Sequence, residues 1–199
     1  MTSCSDQTRR ELVTALAGLS LGSTTQAFAA SPGVARLEKP ILVAYFSRSG
    51  NTRVVAGLLQ RSLGANLFEI LPAAPYPDDY LATVEQARQE RDQGVKPALK
   101  ATVLNMARYA TIFLGLPIWG ETAPPLIRSF LSAHDLAGKT LIPFITHGGY
   151  GLGSSEHVIA QHAPGAHLGR AFSMQADQER QTMNRVNAWL GQLPAGTTK

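Results

Sequence analysis

Apolar residues in this chain come in short continuous runs, separated by segments whose apolar positions recur every three to four residues. Ile41–Phe46 is an unbroken run of β-formers that follows Pro40 and ends in the polar Ser47–Thr52. Such a run suits a strand buried on both faces of a parallel sheet. Residues 53–63 then carry Val54, Val55, Leu58, Leu59 and Leu63 at helical spacing, with Gly64 as terminator. Asn66–Leu71 reads as a second strand, and Pro72, Pro75 and Pro77 make the next stretch irregular. Asp78 or Asp79 caps a helix predicted to run to about Asp92. Thr111–Leu116 is the third strand, and a helix from about Pro124 to Ala133 has proline near its first turn.

The second half repeats the alternation. Thr140–Thr146 is a fourth strand, followed by a glycine-rich loop over His147–Gly153. Ser154 or Ser155 caps a helix carrying Val158 and Ile159, and a weaker strand lies near 167–173. A last helix over about 178–192 turns Met183, Val186, Trp189, Leu190 and Leu193 inward. Five strands alternating with helices imply one parallel sheet covered by helices on both faces, and right-handed crossovers leave few topologies.

Composition narrows the class without changing that picture. Hydrophobic residues are 44% and charged residues 16% of 199, the make-up of a globular domain. No apolar run approaches the roughly 20 residues of a membrane helix, so no membrane insertion of the mature chain is expected. The net charge is +4, but lysine and arginine are scattered rather than gathered in a stripe, which disfavours nucleic acid. Cys4 is the single cysteine, and the five histidines are dispersed, so neither a disulfide nor a metal site is expected.

Residues 1–29 read as an address. Arg9-Arg10 precedes the modestly apolar Leu12–Gly22, and Ala27-Phe28-Ala29 has the small residues of a cleavage site. This resembles a twin-arginine export signal. Residues 30–40 are then a linker, 41–193 the domain and 194–199 a tail. The expected location is periplasmic or exported after cleavage; the alternative is cytoplasmic.

The chemistry concentrates in three strand-end loops. Ser47-Arg48-Ser49-Gly50-Asn51-Thr52 lies between a buried strand and a helix start, where backbone N–H groups converge on an anion. The hydroxyls of Ser47, Ser49 and Thr52 and the Asn51 amide add donors, and Gly50 admits a close backbone approach. The loop has neither the lysine of a P-loop nor the G-x-G-x-x-G of a dinucleotide site, so a single phosphate fits best. A plain capping loop is the alternative.

On these residues the chain resembles the flavodoxin family. Ile41–Ala56, ILVAYFSRSGNTRVVA, looks like that family's opening, and two further segments match: Leu116–Thr122, LPIWGET, and Thr146–Gly151, THGGYG. The similarity extends over about 38–193. It implies the doubly wound five-stranded sheet of order 2-1-3-4-5. It also implies FMN as cofactor, with its phosphate on Ser47–Thr52 and its ring between the other two loops. Pro117, Ile118, Trp119, Gly120, Glu121 and Thr122 would flank the ring on one side, and His147, Gly148, Gly149, Tyr150 and Gly151 on the other.

Trp119 then stacks on the ring or packs in the core, and Tyr150 offers either its ring or only its loop's backbone. His147 either places positive charge by the flavin or bonds locally. Tyr76–Tyr80 borders the flavin or forms a surface turn. No acid–base dyad or nucleophilic triad is visible, so the cofactor carries the chemistry. The expected function is electron transfer with a redox partner protein or a small electron acceptor. The alternatives are an FMN-dependent NAD(P)H:quinone-type reductase and a flavin-free binding module.

Overall fold

The computed structural model describes residues 39–175 and 179–194. The predicted address at 1–29 and most of the predicted linker and tail lie outside the described residues. The elements are β1 Ile41–Tyr45, α1 Asn51–Leu63, β2 Asn66–Glu69, α2 Tyr80–Asp92, β3 Thr111–Pro117, α3 Pro125–Ser132, β4 Thr140–His147, α4 Ser155–His162, β5 His167–Leu168, β6 Phe172–Gln175 and α5 Glu179–Leu190. All strand pairings are parallel, in the order β2-β1-β3-β4-β5, with β6 also on β4. This is the doubly wound α/β fold with the expected strand order.

The continuous apolar runs are buried because both sheet faces are covered. Alternation along β1 sends Leu42, Ala44 and Phe46 to one core and Ile41, Val43 and Tyr45 to the other. The first core is closed by Leu126, Ile127 and Phe130 of α3 and Val158 and Ile159 of α4. The second is closed by Val55, Ala56 and Leu59 of α1 and Val186 and Trp189 of α5. Leu190 and Leu193 pack on its margin as predicted, while the side chain of Met183 lies outside the described residues. Gly115 of β3 is required by this packing: a Cβ there would lie 2.2 Å from Phe144 Cζ and 2.8 Å from Tyr45 Cβ.

The predicted fifth strand is split in two. The register runs Leu141 to Leu168 and then Phe144 to Phe172, so residues 169–171 face only residues 142 and 143. Leu141 O accepts from Gly169 N on this side at 2.9 Å. Strand alternation puts Pro143 on the same side, where its missing N–H removes a ladder donor. The outer strand bulges there and resumes one residue later.

Caps differ in detail from expectation. Gly64 closes α1 in the left-handed conformation, and Asp79 Oδ1 accepts from Ala82 N at 2.8 Å at the start of α2. Neither serine caps α4 with its side chain: Ser154 occupies the N-cap position, but its hydroxyl lies 2.8 Å from Thr122 Oγ1. Ser155 is fully buried.

Candidate functional site

β1, β3 and β4 all end at the same edge of the sheet, so the loops after them are neighbours. Together with one face of α2 they enclose a cleft of about 720 Å³, within the 300–1,000 Å³ usual for small-molecule sites. Of the predicted residues, Arg48, Ser49, Asn51, Pro117, Ile118, Trp119, Gly120, Glu121, Thr122, His147, Gly148 and Tyr150 line it. Ser47, Gly50, Thr52, Gly149 and Gly151 support the loops without lining the cleft.

The first loop opens α1 as the sequence suggests, but its hydroxyls divide their work. Gly50 adopts φ 97° ahead of the first helical turn, whose N–H groups have no intrahelical acceptor. Ser47 is buried, and its Oγ accepts from Gly50 N at 3.1 Å. Thr52 is 1% exposed and pairs with Thr146 Oγ1 at 2.8 Å. Ser47, as an acceptor that keeps its own O–H, and Thr52 therefore brace the loop from within, because the tight turn leaves their own backbone and β4 as nearest partners. Ser49 is exposed and lines the cleft beside Asn51. Arg48 reaches the other way: its Nη2 donates to Asp78 O at 2.8 Å, and its guanidinium lies 5.8 Å from the Tyr80 ring centroid.

The β3 loop is a two-residue turn. Trp119 N donates to Thr122 O at 2.9 Å, and Gly120 and Glu121 take φ 57° and 63°. Paired positive φ values are those of the turn that suits antiparallel ends, and Glu121 holds one of them despite its side chain. The β4 loop clamps this turn. Ser154 N donates to Glu121 O at 2.9 Å, and a Cβ on Gly153 would sit 2.0 Å from that same oxygen. Gly153 also has φ 52°, so both conformation and space demand glycine.

The Trp119 ring meets Phe46 and Tyr76 edge-on, at 5.1 and 5.0 Å between centroids. It is half-buried and stands between the main cleft and a smaller cavity of about 390 Å³ by Pro72–Asp78. Tyr150 is 73% exposed at the rim. His147 bonds locally: its Nδ1 accepts from Gly149 N at 3.0 Å. Burial, with the nearby charge of Arg185, holds the imidazole below its ordinary value. The ring is thus neutral near pH 7, with Nε2 carrying the proton. A positive charge from His147 beside a cofactor is not what this geometry provides.

Apart from Tyr80, at the end of the Tyr76–Tyr80 segment expected to border the ring or form a surface turn, the α2 wall was missed from sequence. Tyr80, Thr83, Val84, Ala87, Arg88 and Arg91 line the cleft. Their spacing of three and four places them on one helix face, but the face mixes polar and apolar groups, so hydrophobic patterning does not flag it. The predicted irregular stretch before α2 is pinned at its base: Ala73 N donates to Ala98 O and Lys100 N to Leu71 O, each at 2.8 Å. The Tyr76 hydroxyl donates to Glu90 at 2.8 Å, and burial, with Glu90 beside it, pushes that phenol well up from its ordinary value. Thr146, on β4, was likewise not expected in the site. Among the described residues no cluster of His, Cys, Asp or Glu could hold a metal.

The donor set suits a monophosphate at the start of α1, and the apolar walls of Pro117, Ile118, Val84 and Ala87 suit a flat ring. Fold and cleft together define a doubly wound α/β protein with a cofactor-sized site at the carboxyl edge of its sheet. Residues 40–193 match the family described as Flavodoxin. A candidate flavoprotein from Bacteroides eggerthii is 33% identical, with TM-score 0.67, over 76% of this chain and 96% of that one. A second, from Bacteroides uniformis, is 30% identical with TM-score 0.69, over 77% and 98%. A flavoprotein from Lactobacillus acidophilus, solved in complex with FMN, shares the fold at TM-score 0.60 and 19% identity, over 73% and 99%. No curated protein matches. The chain belongs to the flavodoxin family.

Proposed function

We propose that this chain binds FMN without a covalent bond and transfers electrons through it. The observation that carries the reading is the cleft at the sheet's carboxyl edge, walled by a phosphate-suited helix start and two loops clamped to each other. Ser49, Asn51 and the first-turn N–H groups of α1 would hold the phosphate. Pro117, Ile118 and Trp119 would flank the ring opposite Val84 and Ala87 of α2. FMN, when bound, supplies the electron-accepting and electron-donating centre. The chain's own part is to bind it, orient it and limit water around it. His147 takes part as a neutral ring whose Nε2–H is a donor.

The purified protein is expected to be yellow and to release FMN, not FAD, on denaturation, read by absorbance and chromatography. A colourless protein that takes up no added FMN overturns the reading and leaves a flavin-free binding module.

One observation favours a second reading, an FMN-dependent reductase of small acceptors. Trp119 makes its ring contacts with Phe46 and Tyr76, none with Tyr150, which lies out at the rim, so among the described residues these two rings do not pair across the cleft. A second cavity of about 670 Å³ adjoins it across the Gly120–Thr122 turn. Steady oxidation of NADH or NADPH with a quinone acceptor would favour the reductase. Turnover only with a protein partner would favour the carrier.

The proposed setting is outside the cytoplasm, with cleavage after Ala29. The twin-arginine route carries folded proteins, which suits a chain whose cofactor is held only by folded loops. Fractionation and N-terminal sequencing test this. An uncleaved cytoplasmic protein overturns export and leaves the flavin reading intact.

A further inference from the structure

Beyond the cofactor cleft, the arginines at the junction of α2 and α3 are unusual. The cavity of about 670 Å³ is lined by Arg91 and Arg128, with Glu121, Tyr150, Ser154 and Val158. It shares Arg91 and the Gly120–Thr122 turn with the main cleft, so the two spaces meet at that turn. Arg91 lies against the turn itself: a Cβ on Gly120 would be 2.6 Å from its Nη1.

Arg128 is incompletely satisfied. Its Nη1 donates to Arg91 O at a long 3.4 Å, while its Nε is buried with no hydrogen-bond partner. Among the described residues no carboxylate pairs with it. Among the described residues Arg91 forms an ion pair only with its neighbour Asp92, at 3.1 Å. Among the described residues Glu121 is exposed and forms no ion pair with either. The Arg128 Nε has no surface open to a ligand, but among the described residues the guanidinium as a whole has no ion-pair partner. Two like charges lining one cavity raise the cost of leaving it unpaired. The same field reaches His162, which burial, Lys96 and Arg128 hold below its ordinary value.

We propose that this cavity is a subsite for the oxyanion group, carboxylate or phosphate, of a small molecule that reaches the main cleft past the Gly120–Thr122 turn. The Nη1 and Nη2 end of Arg128's planar guanidinium fork can meet two oxygens of either group, and Arg91 adds a second cation from the side of α2. This deepens the reductase reading and rests on it for the identity of what the anion lies beside. The presence of an anion site stands without it. The ligand's other end would face Glu121, Thr122 and Tyr150, which border both spaces.

The test is calorimetric titration of the full flavin-loaded protein at low salt, with pyrophosphate as phosphate probe and citrate as carboxylate probe. One probe or both should bind at a single site and weaken as salt rises. Arg128→Gln should weaken binding about ten- to a hundredfold, with Arg128→Lys between it and the wild type because it keeps the charge but loses the fork. FMN affinity, read by fluorescence quenching, should stay within about twofold in both variants. Preference for pyrophosphate points to a phosphate-bearing ligand, and preference for citrate to a carboxylate-bearing one.

Binding of neither probe overturns the proposal, as does unchanged binding in Arg128→Gln. Loss of FMN rather than of the probe also overturns it, by assigning Arg128 to the cofactor. If Arg128→Gln does not fold, the intermediate loss of probe binding expected of Arg128→Lys, with FMN affinity kept, decides the proposal. If the protein takes up no flavin, the proposed function fails, and the same titration of the colourless chain still decides the anion site.

Discussion

The cleft has two walls of different origin. One is built from the ends of β1, β3 and β4, whose residues are buried in two cores, and its loops are tied to each other by Thr52–Thr146 and Ser154–Glu121. The other is the face of α2, a helix with only Thr83 and Ala87 buried and with Tyr80, Leu81 and Val84 exposed. It is held by a cap, by Tyr76–Glu90 and by Arg48 reaching Asp78. A wall fixed by the core cannot shift without cost to the whole domain. A wall held by a few peripheral bonds can change composition, or move, at little cost to the fold. The first wall therefore suits a resident cofactor and the second suits discrimination among what approaches it.

Substitutions can break this comparison. Gly153→Ala in the strand-end wall forces a Cβ against Glu121 O at a left-handed position. It should cost about 2–4 kcal/mol by overpacking and backbone strain, lowering Tm by on the order of 5–10 °C in thermal denaturation. If Tm is unchanged, the two loops are not clamped as described.

Ser49→Ala should act on ligand rather than fold. Loss of a bond to a charged phosphate is worth about 1.5–3 kcal/mol. FMN should therefore weaken about ten- to a hundredfold while riboflavin, lacking the phosphate, is nearly unaffected, as read by fluorescence titration. Equal weakening of the two would take Ser49 away from the phosphate.

Thr146→Val strands the buried Thr52 hydroxyl and should destabilise the domain by about 1–3 kcal/mol in urea unfolding. An unfolding midpoint equal to wild type would mean that Thr52 finds another partner. Val84→Ser on the α2 wall sharpens the contrast: stability should change by no more than about 0.5 kcal/mol, while FMN affinity falls a few-fold. A large loss of stability would show that α2 belongs to the core after all.

The smallest effect is in pH. His147 and His162 are both held below their ordinary value by burial and neighbouring cations. Below about pH 6.5 the unfolded chain then binds more protons than the native one. Stability is full above that range and declines as pH falls toward the native values. Replacing His147 with Gln should flatten part of that decline in urea midpoints collected from pH 7.5 to 5. A profile identical to wild type would place His147 in solvent.

Much of the fold is legible because the parallel strands advertise themselves. A strand buried on both faces must be apolar at every position, and Ile41–Phe46, Thr111–Leu116 and Thr140–Thr146 are nearly so. Asp79 and Gly64 marked helix ends through chemistry local to the backbone. The split of the last strand was not legible, because the consequence of Pro143 falls on a partner about 27 residues away, set by the register of Leu141 with Leu168. Within the site, the glycine- and serine-rich loops announced themselves, but which hydroxyls face the cleft did not. Ser47 and Thr52 have the same chemistry as Ser49 and differ only in what lies within hydrogen-bond reach.

By itself, then, the order of apolar runs and breakers determined a parallel α/β sheet and put the phosphate-suited loop at a strand end, since both follow from periodicity and short-range backbone chemistry. Only the tertiary structure decided that α2 closes the cleft, that Trp119 packs perpendicular to Phe46 and Tyr76, and that Arg91 and Arg128 share a cavity. Those outcomes depend on contacts between residues well separated in the chain, such as Arg128 and Arg91, 37 positions apart. No local pattern records such a contact, because it exists only once the helices have packed.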